Sequence, residues 1–145
     1  MTNWDSRALA VVQQLRRSGH QAVLVGGCVR DSLLSIPPHD YDVTTSALPW
    51  EILSCCAGFP CLNTGLKHGT VTVLSGGLSV EVTTFRREGS YSDHRHPDQV
   101  EFTSDLTDDL ARRDFTINAM AWGPEGLIDR FGGQEDLNAR LIRCV

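Results

Sequence analysis

The sequence has no apolar run long enough to cross a bilayer and no excess of basic residues. A formal net charge of -5 at pH 7 argues against a module that holds nucleic acid through a broad basic face, so any RNA contact is expected to be local. The N-terminal residues also lack the charged-then-apolar layout of a signal peptide. We therefore expect a cytoplasmic protein with no membrane association.

The five cysteines form no CxxC pair, which argues against zinc and disulfide frameworks and favours buried thiols. The chain also lacks the GxGxxG fingerprint of dinucleotide-binding folds and the GxxxxGKS/T loop that cradles phosphates. No repeat or low-complexity linker interrupts it, so we expect residues 1–145 to form one domain.

The composition is that of an ordinary globule, with 41% hydrophobic and 21% charged residues among 145. Apolar periodicity, caps and turn residues predict a mixture of short helices and strands. The predicted helices run from Ser6 to Ser18, Val29 to Leu34, Pro49 to Cys56 and Leu106 to Arg112, and the predicted strands cover Ala22 to Val25, Gly69 to Leu74, Leu78 to Phe85, a hairpin from Trp122 to Ile128, and Ile142 to Val145.

A glycine pair, Gly26 and Gly27, follows the predicted strand Ala22 to Val25. Glycine allows a turn with no side chain on the backbone, so a phosphate could approach the chain closely there. The helix that follows would direct its N-terminal amides towards this turn, and Arg30 adds a cation. The pair indicates an anion site, although two glycines alone are a weak signal.

Asp40 and Asp42 flank Tyr41, and on an extended segment side chains two residues apart point to the same side. Like charges so placed repel, and a hard divalent cation such as magnesium, which takes oxygen ligands, resolves the repulsion. The alternative is a solvated turn after Pro37 and Pro38, because Asp is common in turns.

Glu81 lies between Val80 and Val82, whose side chains are expected to face the core. Strand alternation then puts Glu81 on the opposite face. If Asp40 and Asp42 share that face, the three carboxylates converge in a cleft. The alternative is an ordinary strand with one solvated face.

Residues 86–98 are polar, carry charges of both signs and predict a loop. Such a loop could close over a phosphate site with arginines such as Arg86, Arg87 and Arg95, or could be a plain surface excursion.

Two arginines, Arg112 and Arg113, stand directly before Asp114, and apolar residues follow them. This arrangement favours charges held at a cleft. Surface salt bridging is the plain alternative.

Three segments in this order, LVGGCVRDSLL with DYDVTT, VEVTTFRRE, and RRDFTINAMA with IDRFGGQEDL, together resemble the head domain of the CCA-adding enzyme and bacterial poly(A) polymerase family. The resemblance spans residues 21–145. It implies an α+β (mixed α/β) fold of the DNA polymerase β type, in which a small, mixed, mostly antiparallel sheet of about five strands is backed by helices. It also implies nucleotidyl transfer from CTP and ATP to the 3′-hydroxyl of tRNA, assisted by Mg²⁺.

The resemblance assigns roles to ten residues of this chain. Asp40 and Asp42 would ligate the metal and be catalytic together with Glu81, whereas the nucleotide would be bound by Gly26, Gly27, Arg30, Arg112, Arg113, Asp114 and Asn118. Among these, Asp114 is expected at the ribose.

The resemblance leaves three functions open for the chain. The first is the catalytic head of a CCA-adding tRNA nucleotidyltransferase, the second is the head of a bacterial poly(A) polymerase, and the third is a non-catalytic nucleotide-binding module of the same fold. Members of the family are longer, with neck, body and tail domains after the head, and we expect the base-selecting EDxxR motif to lie beyond residue 145. Glu135, Asp136 and Arg140 match that motif superficially, but a surface helix with a carboxylate and arginine four residues apart is a sufficient explanation. No protein partner is predicted.

Overall fold

The computed structural model describes residues 4–63, 65–87 and 101–145. Its α-helices are α1 (Ser6–Arg17), α2 (Gly27–Leu33), α3 (Pro49–Cys55), α4 (Leu106–Ala111) and α5 (Gly133–Asn138), and short 3-10 helices cover Leu66–His68 and Thr116–Asn118. Its strands are β1 (Ala22–Val25), β2 (Tyr41–Thr45), β3 (Cys61–Leu62), β4 (Thr70–Ser75), β5 (Leu78–Thr84), β6 (Arg86–Arg87), β7 (Glu101–Phe102), β8 (Met120–Gly123) and β9 (Gly126–Asp129).

Seven strands form the main sheet, in the order β3-β4-β5-β2-β1-β8-β9. Only β2 and β5 pair in parallel within this sheet, and the other neighbours are antiparallel. The predicted fold class, a mixed and mostly antiparallel sheet with helices, is therefore confirmed. The sheet has more than about five strands because the short β3 extends one edge and the β8–β9 hairpin extends the other.

One face of the sheet carries the larger part of the core. Helix α1 begins after its cap Asp5 and buries Ala8, Val11, Val12 and Leu15. These residues pack in one cluster with the inward-facing side chains of the central strands, which are Leu24, Val43, Val71, Val73, Val80 and Val82, and with Ile52 of α3. The buried residues of α1 recur every three to four positions, so they form the apolar stripe of an amphipathic helix. Because this stripe packs on the sheet, the strand side chains that contact it define the buried face of each strand.

The opposite face of the sheet is covered only in part. Val23 and Val25 of β1 form a second cluster there with Leu110 of α4. Because register partners on neighbouring strands share a face, Asp42 lies beside Val25 and Thr44 lies beside Val23 on this same side. The sheet thus presents its polar β2 positions next to α4.

Three sequence predictions need correction or limitation. Ile142 to Val145 is not a strand: Cys144 makes a single bridge to Phe115, and this terminal segment pairs with the irregular chain around 114–116 rather than with a sheet edge. The first two residues of the loop predicted over 86–98 form β6, which pairs with β7, and residues 88–100, including Arg95, lie outside the described residues. All five cysteines are free thiols, but only Cys28 and Cys56 are buried: Cys55 and Cys61 are partly buried, and Cys144 is exposed.

In the described ranges, no helix has the length and apolar character that crossing a bilayer requires.

Candidate active site

The glycine turn after β1 is shaped by its backbone and by two arginines. Gly26 has φ +80°, a conformation that L side chains rarely adopt, and its N–H donates to the carbonyl of Met120 at 3.2 Å. A Cβ on Gly27 would lie 3.3 Å from Nη2 of Arg30, and one on Gly26 would lie 3.6 Å from Nη1 of Arg113. The two guanidinium groups therefore stand over a bare backbone turn.

The acidic side of the site is built on the parallel pair of strands. Asp42 of β2 and Glu81 of β5 are register partners and share the face opposite the main core. Burial raises the pKa of Asp42, Arg113 opposes that rise, and the negative charges of Glu81 and Asp40 add to it. The site therefore holds negative charge that a cation would relieve.

The predicted convergence of three carboxylates is not found. Asp40 precedes the first residue of β2 and is exposed, so strand alternation does not fix its direction. Glu81 accepts a hydrogen bond of 2.7 Å from Thr72 Oγ1 on β4, which draws its carboxylate towards that strand. Across the described ranges no three His, Cys, Asp or Glu side chains are grouped so that they could hold a metal ion.

The donor chemistry of Asp40 and Asp42 still fits magnesium. Mg²⁺ is commonly held by one or two carboxylates, and water and substrate phosphates fill its other positions. The like charges that raise the pKa of Asp42 are the environment that such an ion stabilises.

A buried carboxylate that sequence reasoning missed holds the two arginines of the site. Asp109 of α4 is fully buried, and Arg112 and Arg113 approach it at 3.4 and 3.3 Å. The two arginines follow Asp109 by three and four residues at the end of α4, and this spacing was the signal that could have revealed the contacts. Burial also lowers the pKa of Arg112, against the effect of Asp109.

Asn118 connects two of the predicted nucleotide-binding residues. Its Oδ1 accepts a hydrogen bond of 2.8 Å from Arg30 Nη1, and its Nδ2 donates to Asp114 Oδ1 at 3.3 Å. The pKa of Asp114 is lowered, chiefly because the Phe115 N–H donates to its carboxylate and secondly because Asn118 does. Asp114 is thus an ionised, exposed acceptor whose direction is fixed.

One cleft brings eight of the ten predicted site residues together. Its lining consists of Gly26, Gly27, Arg30, Asp42, Arg112, Arg113, Asp114 and Asn118. Glu81 lines the adjoining cleft instead, which shares Asp42, Arg112 and Arg113 with the first. Asp40 lines neither of these two clefts.

A larger cavity lies elsewhere, beside Arg16, Ala22 and Pro124, but no predicted site residue lines it. Size alone does not identify an active site, and the polar, charged cleft is the better candidate because it combines a bare glycine turn, arginines and carboxylates.

The fold and the cleft have the features of the DNA polymerase β-like nucleotidyltransferases: a mixed sheet whose partly covered face carries acidic strand residues beside a glycine turn. The chain belongs to the poly A polymerase head domain family, whose model matches residues 22–143.

Comparison with individual relatives gives the same family. The chain is 50% identical over 146 residues to the CCA-adding enzyme of Lactobacillus delbrueckii subsp. bulgaricus, which covers 100% of this chain and 36% of the relative. It is 51% identical over 141 residues to the CCA-adding enzyme of Geobacillus thermodenitrificans, covering 96% of this chain and 34% of that protein. The chain therefore spans about a third of the length of the curated relatives it matches.

Solved structures agree with this result. The crystal structure of the Bacillus stearothermophilus CCA-adding enzyme in complex with CTP matches with a TM-score of 0.84 and 45% identity, over 96% of this chain and 33% of that chain. The Thermotoga maritima CCA-adding enzyme complexed with tRNA_CCA matches with a TM-score of 0.72 and 30% identity, over 93% of this chain and 31% of that chain.

Proposed function

We propose that this chain is the catalytic head of a longer CCA-adding enzyme, which transfers CMP and AMP from CTP and ATP to the 3′-hydroxyl of tRNA and releases pyrophosphate. The observation that carries the proposal is the cleft in which a bare glycine turn, three arginines and Asp42 meet. Such a cleft suits a triphosphate bound with a metal ion. The proposed tRNA substrate is also the reason for proposing a cytoplasmic location.

In this proposal the phosphates occupy the glycine turn between two guanidinium groups. Gly26 and Gly27 let the triphosphate approach the backbone, while Arg30 and Arg113, which stand over the turn, neutralise its charge. Asn118 keeps Arg30 and Asp114 at a fixed separation through its two hydrogen bonds. Asp42 lines the same cleft, so the proposed triphosphate would lie beside it.

Enzymes of this family are metal-dependent, and we propose Mg²⁺ held by Asp40 and Asp42. The ion, when bound, would neutralise charge on the phosphates and lower the pKa of the attacking hydroxyl. Glu81, on the strand beside Asp42, adds negative charge on the side of the adjoining cleft.

Poly(A) addition is the second candidate, favoured by the description of the matching family as a poly A polymerase head domain. Both reactions need the same phosphate and metal groups, so this cleft does not distinguish them. A full-length protein that contains this chain should be incubated with tRNA lacking its 3′ end and with each nucleotide in turn. Addition that stops after CCA supports the proposal, a long A tract supports the second candidate, and no transfer of any nucleotide favours a non-catalytic module.

Replacement of Asp114 by Ala is expected to erode the preference for CTP over dCTP. The fixed, ionised carboxylate of Asp114 is proposed to accept a hydrogen bond from the ribose 2′-hydroxyl, and dCTP lacks that group. Loss of one such bond to a charged group corresponds to about a tenfold fall in the ratio of the two kcat/KM values.

The control for this variant is Glu125→Ala, which removes an exposed carboxylate from the turn between β8 and β9. Its ratio for CTP and dCTP should equal that of the wild type. An unchanged ratio in Asp114→Ala as well would remove Asp114 from the ribose.

Base selection is proposed to reside outside this chain. Glu135, Asp136 and Arg140 resemble the EDxxR motif, but the contacts of Asp136 are structural. Asp136 is buried and accepts hydrogen bonds from Thr116 Oγ1 at 2.6 Å and from Arg143 Nε at 3.3 Å. The surface pairing expected between Asp136 and Arg140 is therefore wrong. Asp136 instead ties α5 to the 3-10 helix Thr116–Asn118.

A further inference from the structure

Asp109 makes more contacts than an ordinary helix carboxylate. Besides Arg112 and Arg113, it accepts hydrogen bonds from Thr44 Oγ1 at 3.0 Å and from the Arg86 backbone N–H at 3.0 Å. It thereby joins strand β2, two residues beyond Asp42, to the start of β6 and to both arginines of the cleft.

The burial of Asp109 needs an explanation, because a carboxylate removed from water is costly unless its charge and lone pairs are matched. Asp108, its neighbour on α4, lies half-exposed beside Thr103 and Arg87, so burial is not a general property of this helix. Asp109 has four donors around its two oxygens, which is the arrangement of a fully satisfied buried group.

Asp109 occupies only part of each guanidinium group. It accepts from Nη2 of Arg112 and of Arg113, whereas Nη1 of Arg113 stands beside Gly26 at the glycine turn. The Nε atoms of both arginines are buried and, among the described residues, have no hydrogen-bond partner. Both side chains are about four-fifths buried, at 20% and 18% exposure, and both line the cleft that also contains Asp42. Two cations against one carboxylate leave a net positive charge facing the proposed phosphate site.

We infer that Asp109 is a positioning residue for nucleotide binding: it sets the directions of Arg112 and Arg113 and, through Thr44, fixes their separation from Asp42. This inference rests on the proposed function, since it concerns the same cleft. Asp109 does not line that cleft and acts only through the arginines. A long, flexible arginine loses less freedom on binding a phosphate if a buried carboxylate already holds it.

The test is calorimetric titration of this chain with CTP in the presence of Mg²⁺. Asp109→Asn keeps the size of the side chain but removes its charge and one acceptor, and it should weaken CTP binding about tenfold, the effect expected within one hydrogen-bond network. Thr84→Val is the control, because Thr84 is also buried, donates a hydrogen bond to the Ala47 carbonyl and lines neither cleft. It should lower Tm and leave the dissociation constant of CTP within about twofold of the wild type.

A double-mutant cycle of Asp109 and Arg113 tests whether Asp109 acts through the arginines. In an Arg113→Ala background, Asp109→Asn should weaken CTP binding by only about threefold, because part of what it positions is gone. Equal losses in both backgrounds would overturn the inference, since they would show that Asp109 acts independently of Arg113.

Thr44→Val serves if Asp109→Asn fails to fold. This substitution leaves the charges of Asp109 and of the arginines in place and removes one hydrogen bond to Asp109. It should weaken CTP binding about threefold. CTP binding of wild-type strength in every folded Asp109 or Thr44 variant would overturn the inference while leaving the proposed function intact. Failure of the wild type itself to bind CTP with Mg²⁺ would overturn both.

Discussion

Replacing Asp42 by Ala in the full-length enzyme should reduce nucleotide transfer at least about a thousandfold, a larger loss than that of a single transition-state hydrogen bond. The reason is that Asp42 is the one proposed metal ligand that lies in the cleft and on a strand, where its position is fixed by pairing with both Val25 and Glu81. Removing it leaves Asp40, which is exposed and outside the strand, to hold the ion alone.

The same change should not unfold the protein. The pKa of Asp42 is raised in the folded state, so its ionised form is disfavoured by folding, and at neutral pH the carboxylate destabilises the native protein. In metal-free buffer Asp42→Ala should therefore keep Tm or raise it slightly, because solvent at this exposed position screens the repulsion. Because lowering the pH protonates the wild-type carboxyl, this difference should shrink as pH falls towards the ordinary pKa of 3.8.

Transfer by Asp42→Ala at near the wild-type rate would remove Asp42 from the metal. The control is again Glu125→Ala, whose exposed carboxylate lies in the β8–β9 turn. It should match the wild type in transfer rate and in Tm.

Gly133→Ala should be strongly destabilising, because among the described glycines position 133 brings an added Cβ closest to another residue's backbone. A Cβ at position 133 would overlap the carbonyl oxygen of Thr116 and would lie 2.8 Å from Met120 Cγ. Met120 has a flexible side chain, but Thr116 presents the backbone of the 3-10 helix Thr116–Asn118, so α5 has to move away from it. Overpacking of this kind costs about 3 kcal/mol, which lowers Tm by about 10 °C in a domain of this size.

Gly58→Ala is the matched control for Gly133→Ala. A Cβ at Gly58 meets nothing within 4 Å, and its φ lies outside the positive range. Its Tm should stay within about 2 °C of the wild type, as for most surface changes. If the two variants have the same Tm, the close contact between α5 and Thr116 does not destabilise Gly133→Ala.

The sequence predicted the face of each strand better than it predicted which strands meet. Alternation around Val80 and Val82 correctly put Glu81 on the face opposite the core. That Glu81 stands beside Asp42 depends on the parallel pairing of β2 with β5, which are separated by α3, β3 and β4. Such a long-range pairing has no local signal in the sequence. The prediction that Asp40 joins Asp42 and Glu81 was wrong because β2 begins one residue after Asp40, so strand alternation does not apply to it.

Asp109 shows the same limit for side chains. Its sequence position, in the first turn of a predicted helix, is one where exposed acidic residues are common because they favour the helix dipole. Its burial follows from the docking of α4 against Val23 and Val25, a tertiary contact. Likewise, the terminal residues around Cys144 have the apolar character of a strand but find only a single bridging partner.

This chain is proposed to bind nucleotides through their phosphates and a metal ion. The most direct test is calorimetric titration of the 145-residue chain with CTP, ATP, UTP and GTP, with and without Mg²⁺. We expect weak binding that needs Mg²⁺, declines with salt and differs among the four nucleotides by less than about tenfold, because tenfold selection requires about 1.4 kcal/mol of contact with the base. A strong preference for CTP and ATP, or binding that is unchanged without Mg²⁺, would contradict it.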